Sequence, residues 1–382
     1  MRQKIRIGYI GQNNSWEQLL GQIGVHWNRV NPHITIPVEE QSCLIVDRDL
    51  TQSERTNVDR YLKEDGAILD ATGQFVSGSL HKKTFSIVFP EDGDSGFGHI
   101  EQIPVYGSCR TVSSSGILNG LVWFDPSPNR NITFLGLPVH RLWNDVKTVH
   151  RQFGSDETAV TAERTSALQS HPYFQVILTL LRKLHSDRKL PLVHTWWHPD
   201  PNKQVATFRV DSDYGSLNSI QQISGISNRN NFPITWFLHV EHHEDWMESL
   251  INSISEKDEI SLHCYRHSEY KTTAQIRSDI IRGLEILKRN NVSPSGYAAP
   301  YGYWSKELAD ALKSFPFDYT SEFGYDHDSL PSVASDSGTL QLPVHPVSIG
   351  SFSRFGATPV QINSYYEELI RFRRLQQNPV HL

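Results

Sequence analysis

The sequence predicts an α/β protein with two domains. Its 382 residues exceed the length that a single hydrophobic core usually serves. Short apolar runs rich in branched and aromatic residues alternate with segments of helical periodicity along both halves of the chain. Because strand–helix–strand order is typical of parallel sheets, we expect the functional residues at the carboxyl ends of the strands.

The first part of the chain is predicted to form an N-terminal parallel α/β domain, flavodoxin-like or Rossmann-like, over residues 1–155. Between two of its apolar runs, Thr51 and Glu54 form a capping box, and the helix that it opens is predicted to end at Gly66. Neither the dinucleotide-binding glycine motif nor a P-loop occurs, so no motif supports nucleotide binding. We therefore expect a structural or specificity-setting role for this domain. Its strand-like runs lie at 5–10, 43–46 and 67–69.

A polar stretch separates the two predicted domains. Residues 154–170 lack strong apolar periodicity, and a helix with apolar residues at helical spacing begins near Pro172. These features predict a linker and connecting helix over 156–190 and a second domain over 191–382. The second domain is expected to contain a barrel-like or doubly wound parallel sheet. Its strand-like runs lie at 205–210, 234–238, 259–262 and 297–299.

Composition and charge argue against several kinds of partner. The net charge of −6 provides no electrostatic attraction to nucleic acid or to an anionic membrane. The longest apolar run, 174–181, is too short to span a bilayer, and the first residues lack the apolar stretch of a signal peptide. Three widely spaced cysteines do not suggest a disulfide framework. We therefore expect a cytoplasmic protein that binds no nucleic acid and has no membrane span.

Acidic residues and histidines follow two of the predicted strands. Asp211 and Asp213 are two residues apart at the end of one strand, so their side chains project to the same side, as does that of Arg209. His263 and His267 follow another strand, and a spacing of four residues lets both imidazoles meet one ion. The histidine pair alone is weak evidence, but a carboxylate and two imidazoles together suit a borderline divalent ion. The pattern predicts a metal site with one aspartate, two histidines and a spare carboxylate.

The predicted second domain resembles the polysaccharide deacetylase family, carbohydrate esterase family 4. In that family a Thr-Phe-Asp-Asp-Gly motif supplies a catalytic base and then a metal ligand, and residues 207–213 are similar to a spaced form of it. On that match Asp211 resembles the base and Asp213 resembles the ligand. The family's second motif, His-Ser/Thr-x-x-His, matches His263 and His267 as the other two ligands. The resemblance implies a distorted (β/α) barrel of deacetylase type.

The third motif of that family, Arg-x-Pro-Tyr-Gly, is similar to residues 298–302. On this match the backbone N–H of Tyr301 resembles a donor to the oxyanion of the reaction. The arginine of the motif, which orients the base in the family, is Ala298 here. Arg209 lies on the same strand face as Asp211, so it could replace that arginine, or it could be an ordinary strand residue.

The resemblance implies a metal-dependent hydrolase that removes an acetyl group from an N-acetylated sugar or glycan precursor. Zinc is the default ion, with cobalt, nickel and iron as alternatives. The family's late histidine, a general acid, has a candidate in His345, whereas His239, His242 and His243 are interpreted as solvated loop residues. One alternative is a hydrolase of another C–N bond on the same fold, such as that of a cyclic amide. The other is a non-catalytic, metal-containing sugar-binding module.

Overall fold

The chain folds into two units, and each unit contains a largely parallel sheet. The computed structural model describes residues 3–76, 80–88, 97, 103–112, 116–127, 130–143, 145–153, 161–200, 203–327, 330–334 and 336–382. One unit comprises Met1–Asp145 and Leu168–Trp197, and the other comprises Val146–Ala167 and His198–Leu382. The predicted α/β class with parallel sheets is confirmed. Within the described residues, no helix has the length and apolar character needed to cross a membrane.

The first unit is built on a six-stranded sheet. In chain order, the elements as far as residue 187 are β1 (Ile7–Ile10), α1 (Asn14–Ile23), β2 (Trp27–Arg29), β3 (Cys43–Val46), α2 (Gln52–Lys63), β4 (Ala67–Asp70), β5 (Leu80–Val88), β6 (Ile103–Val112), β7 (Val122–Phe124), β8 (Asn131–Leu135), α3 (Val139–Leu142), β9 (Thr148–Phe153), β10 (Thr161–Ser166) and α4 (Ser170–Asp187). The sheet has the order β2-β1-β3-β4-β8-β7, in which β7 is antiparallel to β8 and the other pairs are parallel. A separate antiparallel pair is formed by β5 and β6.

The capping box predicted at the start of α2 is present. Thr51 Oγ1 accepts the backbone N–H of Glu54, and the carboxylate of Glu54 accepts the N–H of Thr51 at 2.8 Å. The helix ends at Lys63, and Asp65 rather than Gly66 adopts the left-handed conformation, with φ of +68°. Aspartate tolerates this region better than most residues do, because its short polar side chain can hydrogen-bond to the nearby backbone.

The second unit is built on a seven-stranded sheet. After the antiparallel pair of β9 and β10, its elements are β11 (Ala206–Thr207), β12 (Arg209–Asp211), α5 (Leu217–Asn230), β13 (Thr235–His239), α6 (Val240–His243), α7 (Met247–Ile251), β14 (Glu259–Cys264), α8 (Thr273–Arg289), β15 (Gly296–Tyr297), α9 (Lys306–Leu312), β16 (Tyr319–Thr320), β17 (Ser332–Val333), β18 (Leu340–Gln341), α10 (Ile349–Arg354), α11 (Pro359–Leu375) and β19 (Val380–His381). The sheet order is β12-β13-β14-β15-β16-β18-β17. Its strands are parallel apart from β17, which is antiparallel to β18.

The last strand, β19, connects two parts of the second unit. It pairs in parallel with β11, which leads directly into β12 at one edge of the seven-stranded sheet. The backbone N–H of Arg209 donates to the oxygen of Leu382 at 2.6 Å, and the N–H of His345 donates to the oxygen of His381 at 3.0 Å. The end of the chain therefore links the first strand of the sheet to the residues that follow β18.

Helix α8 packs closely on β14, the strand that carries His263. A Cβ atom at Gly283 would lie 2.8 Å from Cδ1 of Leu262, so helix and strand approach each other closely at this glycine. Ile280 and Leu287 of the same helix are buried in the hydrophobic core that also contains Leu262. This packing supports the strand end from which the first histidine of the predicted metal site projects.

Regular structure occupies part of the predicted linker. β9 and β10 pair from Thr148 opposite Ser166 to Phe153 opposite Thr161, and α4 begins at Ser170. Residues 154–160, which overlap the start of the predicted linker at 156–190, lie outside the described residues. The predicted domain boundaries stay predictions.

Candidate active site

The carboxyl end of β12 places two aspartates in different environments. Asp211 is the last residue of the strand and pairs with Phe237 of β13. Asp213 lies two residues further, in a turn closed by a hydrogen bond from Gly215 N–H to the oxygen of Ser212 at 2.7 Å, and has φ of +35°. The turn leaves the side chain of Asp213 51% exposed, whereas that of Asp211 is 30% exposed.

The three predicted metal ligands, Asp213, His263 and His267, lie together, and we call them the triad. Nε2 of His263 is 3.3 Å from Oδ1 of Asp213, and Nε2 of His267 is 3.4 Å from the same oxygen. Each residue offers one ligand atom, and these atoms lie within 4.8 Å of one another. The two histidine side chains are buried, so the aspartate provides the exposed side of the triad.

The hydrogen bond behind His263 determines which ring nitrogen faces Asp213. Nδ1 of His263 lies 2.7 Å from the backbone oxygen of Ala298, and because that oxygen can only accept, Nδ1 carries a proton. In the neutral ring, Nε2 then presents a lone pair towards Oδ1 of Asp213, which has no hydrogen-bond partner among the described residues. Two facing lone pairs require a cation or a proton between them. The donor set therefore fits a divalent ion, and a carbonyl behind the ring is typical of metal-binding histidines.

Arg209 lies on the same side of β12 as Asp211 and binds it through two nitrogens. Its Nε donates to Oδ1 of Asp211 and its Nη2 donates to Oδ2, each at 2.6 Å. Nη1 donates to the backbone oxygen of Ser321 and, at 3.1 Å, to Ser321 Oγ. Burial acts to raise the pKa of Asp211, but the charges of Arg209 and His263 outweigh it and hold that pKa below its usual value. Asp211 is therefore an ionised carboxylate whose orientation is fixed by the arginine.

The third predicted motif forms a turn beside the triad. Pro300–Gly302 make a 3-10 turn in which Tyr301 adopts φ of +59°. The backbone N–H of Tyr301 donates to none of the described residues. The tyrosine ring is 56% exposed and meets the ring of His267 at a centroid distance of 4.6 Å. The turn thus presents a backbone donor and an exposed aromatic ring next to the histidines.

Comparison with known protein families agrees with this arrangement of side chains. Residues 198–320 match the family model described as polysaccharide deacetylase. This part of the chain therefore matches the polysaccharide deacetylase family. The matched segment contains the triad, Asp211 and Tyr301, whereas His345 lies beyond its end.

Solved structures of several related proteins are similar to part of the chain. A protein from Mycobacterium smegmatis assigned to the polysaccharide deacetylases is 22% identical and covers 50% of this chain and 80% of that chain, with a TM-score of 0.41. A CE4 esterase from Streptococcus mutans is 16% identical and covers 44% of this chain and 84% of that chain, with a TM-score of 0.30. A CE4 family pseudoenzyme from Bacillus anthracis is 15% identical and covers 47% of this chain and 69% of that chain, also with a TM-score of 0.30. Among curated proteins, no sequence matches this chain.

The deacetylase resemblance assigns the general acid to His345, which the structure places outside the triad. Nε2 of His345 lies 2.7 Å from Tyr365 Oη, and the residue lines a cleft together with His327, Arg373 and His381. Among the described residues, no hydrogen bond, ion pair or ring contact joins His345 to the triad. Its catalytic role stays a prediction.

His239, which the sequence led us to interpret as a solvated loop residue, is buried beside the triad. Its Nδ1 lies 2.9 Å from the backbone oxygen of Asp213, and its ring centroid is 5.7 Å from that of His267. Nε2 has no hydrogen-bond partner in the described part of the chain. His243 is buried as well, so that interpretation is wrong for both residues, while His242 is exposed. The signal for His239 was its position at the end of the strand beside β12.

Glu322 is a buried acid that the motifs did not identify. Its Oε1 accepts the N–H of Ala299 at 3.0 Å, and its Oε2 accepts Nε2 of Gln341 at 2.8 Å. Burial outweighs these hydrogen bonds and raises the pKa of Glu322 to about 7. Since Ala299 directly precedes the turn at Pro300–Gly302, Glu322 ties that turn to the sheet. Its place two residues after β16, at the same sheet edge as Asp213, was the available sequence signal.

Glu322 should make the stability of the second unit depend on pH. Its folded pKa of about 7 exceeds that of an exposed glutamate, about 4.3, so its contribution is fully present below about pH 4.3 and is lost as the pH rises through about 7. Glu322→Gln should remove this loss. We expect the free energy of unfolding of the variant, relative to wild type, to increase by ~1–3 kcal/mol between pH 5 and pH 8 in denaturant titrations.

The exposed Glu256 provides a matched control, because Glu256→Gln changes the same group in the same unit without burial. That variant should follow the wild-type pH profile. If Glu322→Gln also follows it, the carboxyl group does not titrate near neutral pH in the folded protein.

Proposed function

We propose that this chain is a metal-dependent hydrolase that removes the acetyl group from an N-acetylated sugar or glycan precursor. The position of the triad beside the ionised Asp211 is the observation that supports this function. Two imidazoles and one carboxylate suit Zn²⁺, so zinc is the ion that we propose for Asp213, His263 and His267. When bound, a divalent ion supplies Lewis acidity that stabilises negative charge on the acetyl oxygen.

Asp211 is the proposed general base. It is not one of the three ligand-offering residues, and both of its oxygens already accept hydrogen bonds from Arg209. An ionised carboxylate in this position can take the proton of the water that attacks the acetyl carbon. Arg209 then has the orienting role that the resemblance assigns to the arginine missing at Ala298.

Tyr301 is the proposed donor to the oxyanion. Its N–H is not used by any described residue, and the contact between Glu322 and Ala299 holds the turn before a substrate binds. A donor that is already in position stabilises developing negative charge without reorganisation. The exposed rings of Tyr301 and Tyr214 flank His267 and offer apolar faces for a sugar ring.

The leaving amine must receive a proton, and two histidines are candidates. The resemblance favours His345, but the geometry favours His239, because its ring contacts that of His267 and its Nε2 has no partner among the described residues. We therefore propose His239 as the group closest to the leaving amine. The proton taken up by Asp211 and the proton given by the histidine together balance the hydrolysis.

The barrel in the second unit and the fold type of the first unit are also proposals. β19 pairs with β11, and the oxygen of His381 accepts the N–H of His345, so we propose that the strands of the second unit close into the distorted barrel of the family. Parallel pairing of β2, β1, β3, β4 and β8 supports a flavodoxin-like or Rossmann-like first unit. A carbohydrate partner and a cytoplasmic location remain expectations from the sequence.

A non-catalytic, metal-containing sugar-binding module is the second candidate. The position of His345 outside the triad favours it, because the family's general acid would then be missing from the site. Metal content together with sugar binding but no release of acetate would identify such a module. Turnover of a cyclic amide in place of an N-acetyl sugar would instead assign the same residues to another C–N bond.

Removing a ligand and removing the base should have different effects. His263→Ala and His267→Ala each leave two protein ligands, so we expect both proteins to lose the ion in elemental analysis. Asp211→Asn should keep the ion and lower kcat by roughly 10²–10⁴-fold, as is typical for loss of a general base. Acetate release from N-acetylated sugars gives the rate.

The exposed His242 serves as the control for these variants, and His242→Ala should retain both the ion and the activity. Stoichiometric metal in both His263→Ala and His267→Ala would disprove the triad as the binding site. If Asp211→Asn loses the ion and Asp213→Asn keeps it, the roles of the two aspartates are exchanged.

Arg209→Lys tests whether the arginine orients the base. Lysine keeps the charge but cannot donate through a planar fork, so the carboxylate of Asp211 loses its fixed alignment. We expect kcat to fall by roughly 10–10²-fold with unchanged metal content. Arg229→Lys at the end of α5 should have no effect on either quantity. An Arg209→Lys enzyme with the wild-type pH–rate profile would show that Arg209 is an ordinary strand residue.

His239→Gln and His345→Gln distinguish the two candidate proton donors. If His239 serves the leaving amine, its variant should lose roughly 10²-fold or more in kcat, and the loss should shrink for substrates whose leaving group needs no proton. His345→Gln should then keep most of its activity. The opposite ranking would return the role to His345, as the resemblance implies.

A further inference from the structure

A second cleft lies in the second unit, apart from the triad. It contains about 260 Å³ of empty space open to solvent. Its polar lining consists of His327, His345, Arg373 and His381, and none of its lining residues belongs to the triad. The proposed deacetylation uses neither Arg373 nor two of these three histidines. The cleft therefore needs an explanation of its own.

The imidazoles of His327 and His381 each make a hydrogen bond at Nδ1 and have no partner at Nε2 among the described residues. Nδ1 of His327 lies 2.9 Å from Ser166 Oγ, and Nδ1 of His381 lies 2.7 Å from Thr207 Oγ1. Nε2 of both rings is buried without a hydrogen-bond partner in the described structure, and His327 as a whole is only 3% exposed. When each hydroxyl donates to Nδ1, each Nε2 carries the proton and is a donor without an acceptor. A buried donor in this state is costly unless a ligand accepts from it.

Arg373 brings a positively charged side chain to the cleft. Arg373 projects from α11 and also donates to the backbone oxygen of His327 at 3.1 Å. Among the described residues that line the cleft, none has an acidic side chain, and the lining includes the last residue, Leu382, whose oxygen accepts the N–H of Arg209. Burial, together with the charges of Arg151 and Arg373, lowers the pKa of His327, and burial with the charge of Arg373 lowers that of His381 to about 4. Both rings are therefore neutral at neutral pH, and each is a donor in the tautomer that carries the proton on Nε2. A guanidinium and two imidazole N–H groups are hydrogen-bond donors suited to an oxyanion.

We propose that this cleft binds a phosphate group, through Arg373 and the Nε2–H donors of His327 and His381. A metal ion is a poor alternative, because among the described residues only the triad brings three ligand atoms together. Phosphate suits the cleft better than a carboxylate, because it offers more terminal oxygens to the three donor side chains that line the cleft. The group comes either from free phosphate or from a phosphorylated sugar. This proposal does not rest on the proposed deacetylation.

Calorimetric titration of the purified protein with inorganic phosphate tests the proposal. The ion at the triad is first removed with a chelator, and His263→Ala is titrated as well, so that phosphate bound to a metal is not counted. We expect saturable binding in both proteins. Arg373→Gln should weaken it by about tenfold or more, the usual effect of losing a charged hydrogen bond. Arg374→Gln, the neighbouring exposed arginine on α11, should leave it unchanged.

A second variant keeps the test informative if Arg373→Gln does not fold. His381→Phe keeps a ring of similar size in β19 and removes Nε2, so it should also weaken phosphate binding. No saturable phosphate binding, or equal binding by wild type, Arg373→Gln and His381→Phe, would overturn the proposal. Acetate binding as tight as phosphate would overturn the choice of phosphate. Tighter binding of N-acetylglucosamine 1-phosphate than of inorganic phosphate would identify a sugar phosphate as the source.

Discussion

The parallel register of three neighbouring strands places the triad. Asp211 of β12 pairs with Phe237 of β13, which pairs in turn with Ser261 of β14. Asp213 and His263 each lie two residues beyond this shared level, so both ligands emerge at the same end of the sheet. Side chains two residues apart on a strand share a face, and a slip of one residue would turn a ligand away from the site. The register thus brings Asp213 and His263 to the same end of the sheet before any ion binds.

Charge at this edge of the sheet is distributed so that one carboxylate is left for a cation. Asp211 is neutralised by its paired hydrogen bonds with Arg209. Glu322 is kept largely protonated below neutral pH, because burial raises its pKa to about 7. Asp213 has no such compensation, and its Oδ1 faces the two histidines without a hydrogen-bond partner among the described residues. A buried oxygen atom in this state is stabilised by a cation, which is why the triad and not Asp211 suits the ion.

Features that depend on local periodicity could be predicted from the sequence, and features that depend on strand neighbours could not. The alternation of strands and helices predicted parallel sheets, and the two-residue spacing of Arg209 and Asp211 predicted that their side chains share a face. The importance of Glu322 and His239 depends on which strands become neighbours and on how deeply each side chain is buried. The position of His345 depends on its pairing with β19, a strand 35 residues later that no local pattern connects to it.

The environment of His345 links the general acid of the family to the second cleft. Burial, together with the charge of Arg373, lowers the pKa of His345 to about 3, so its ring is neutral at the pH where a general acid must hold a proton. Negative charge in the cleft would offset the arginine and favour the protonated ring. An anion bound beside Arg373 would therefore favour an acid role for His345 by offsetting the charge of the arginine, although not the effect of burial. Burial and the neighbouring histidines lower the pKa of His239 as well, but no arginine contributes there, so an anion in the cleft would not offset that shift.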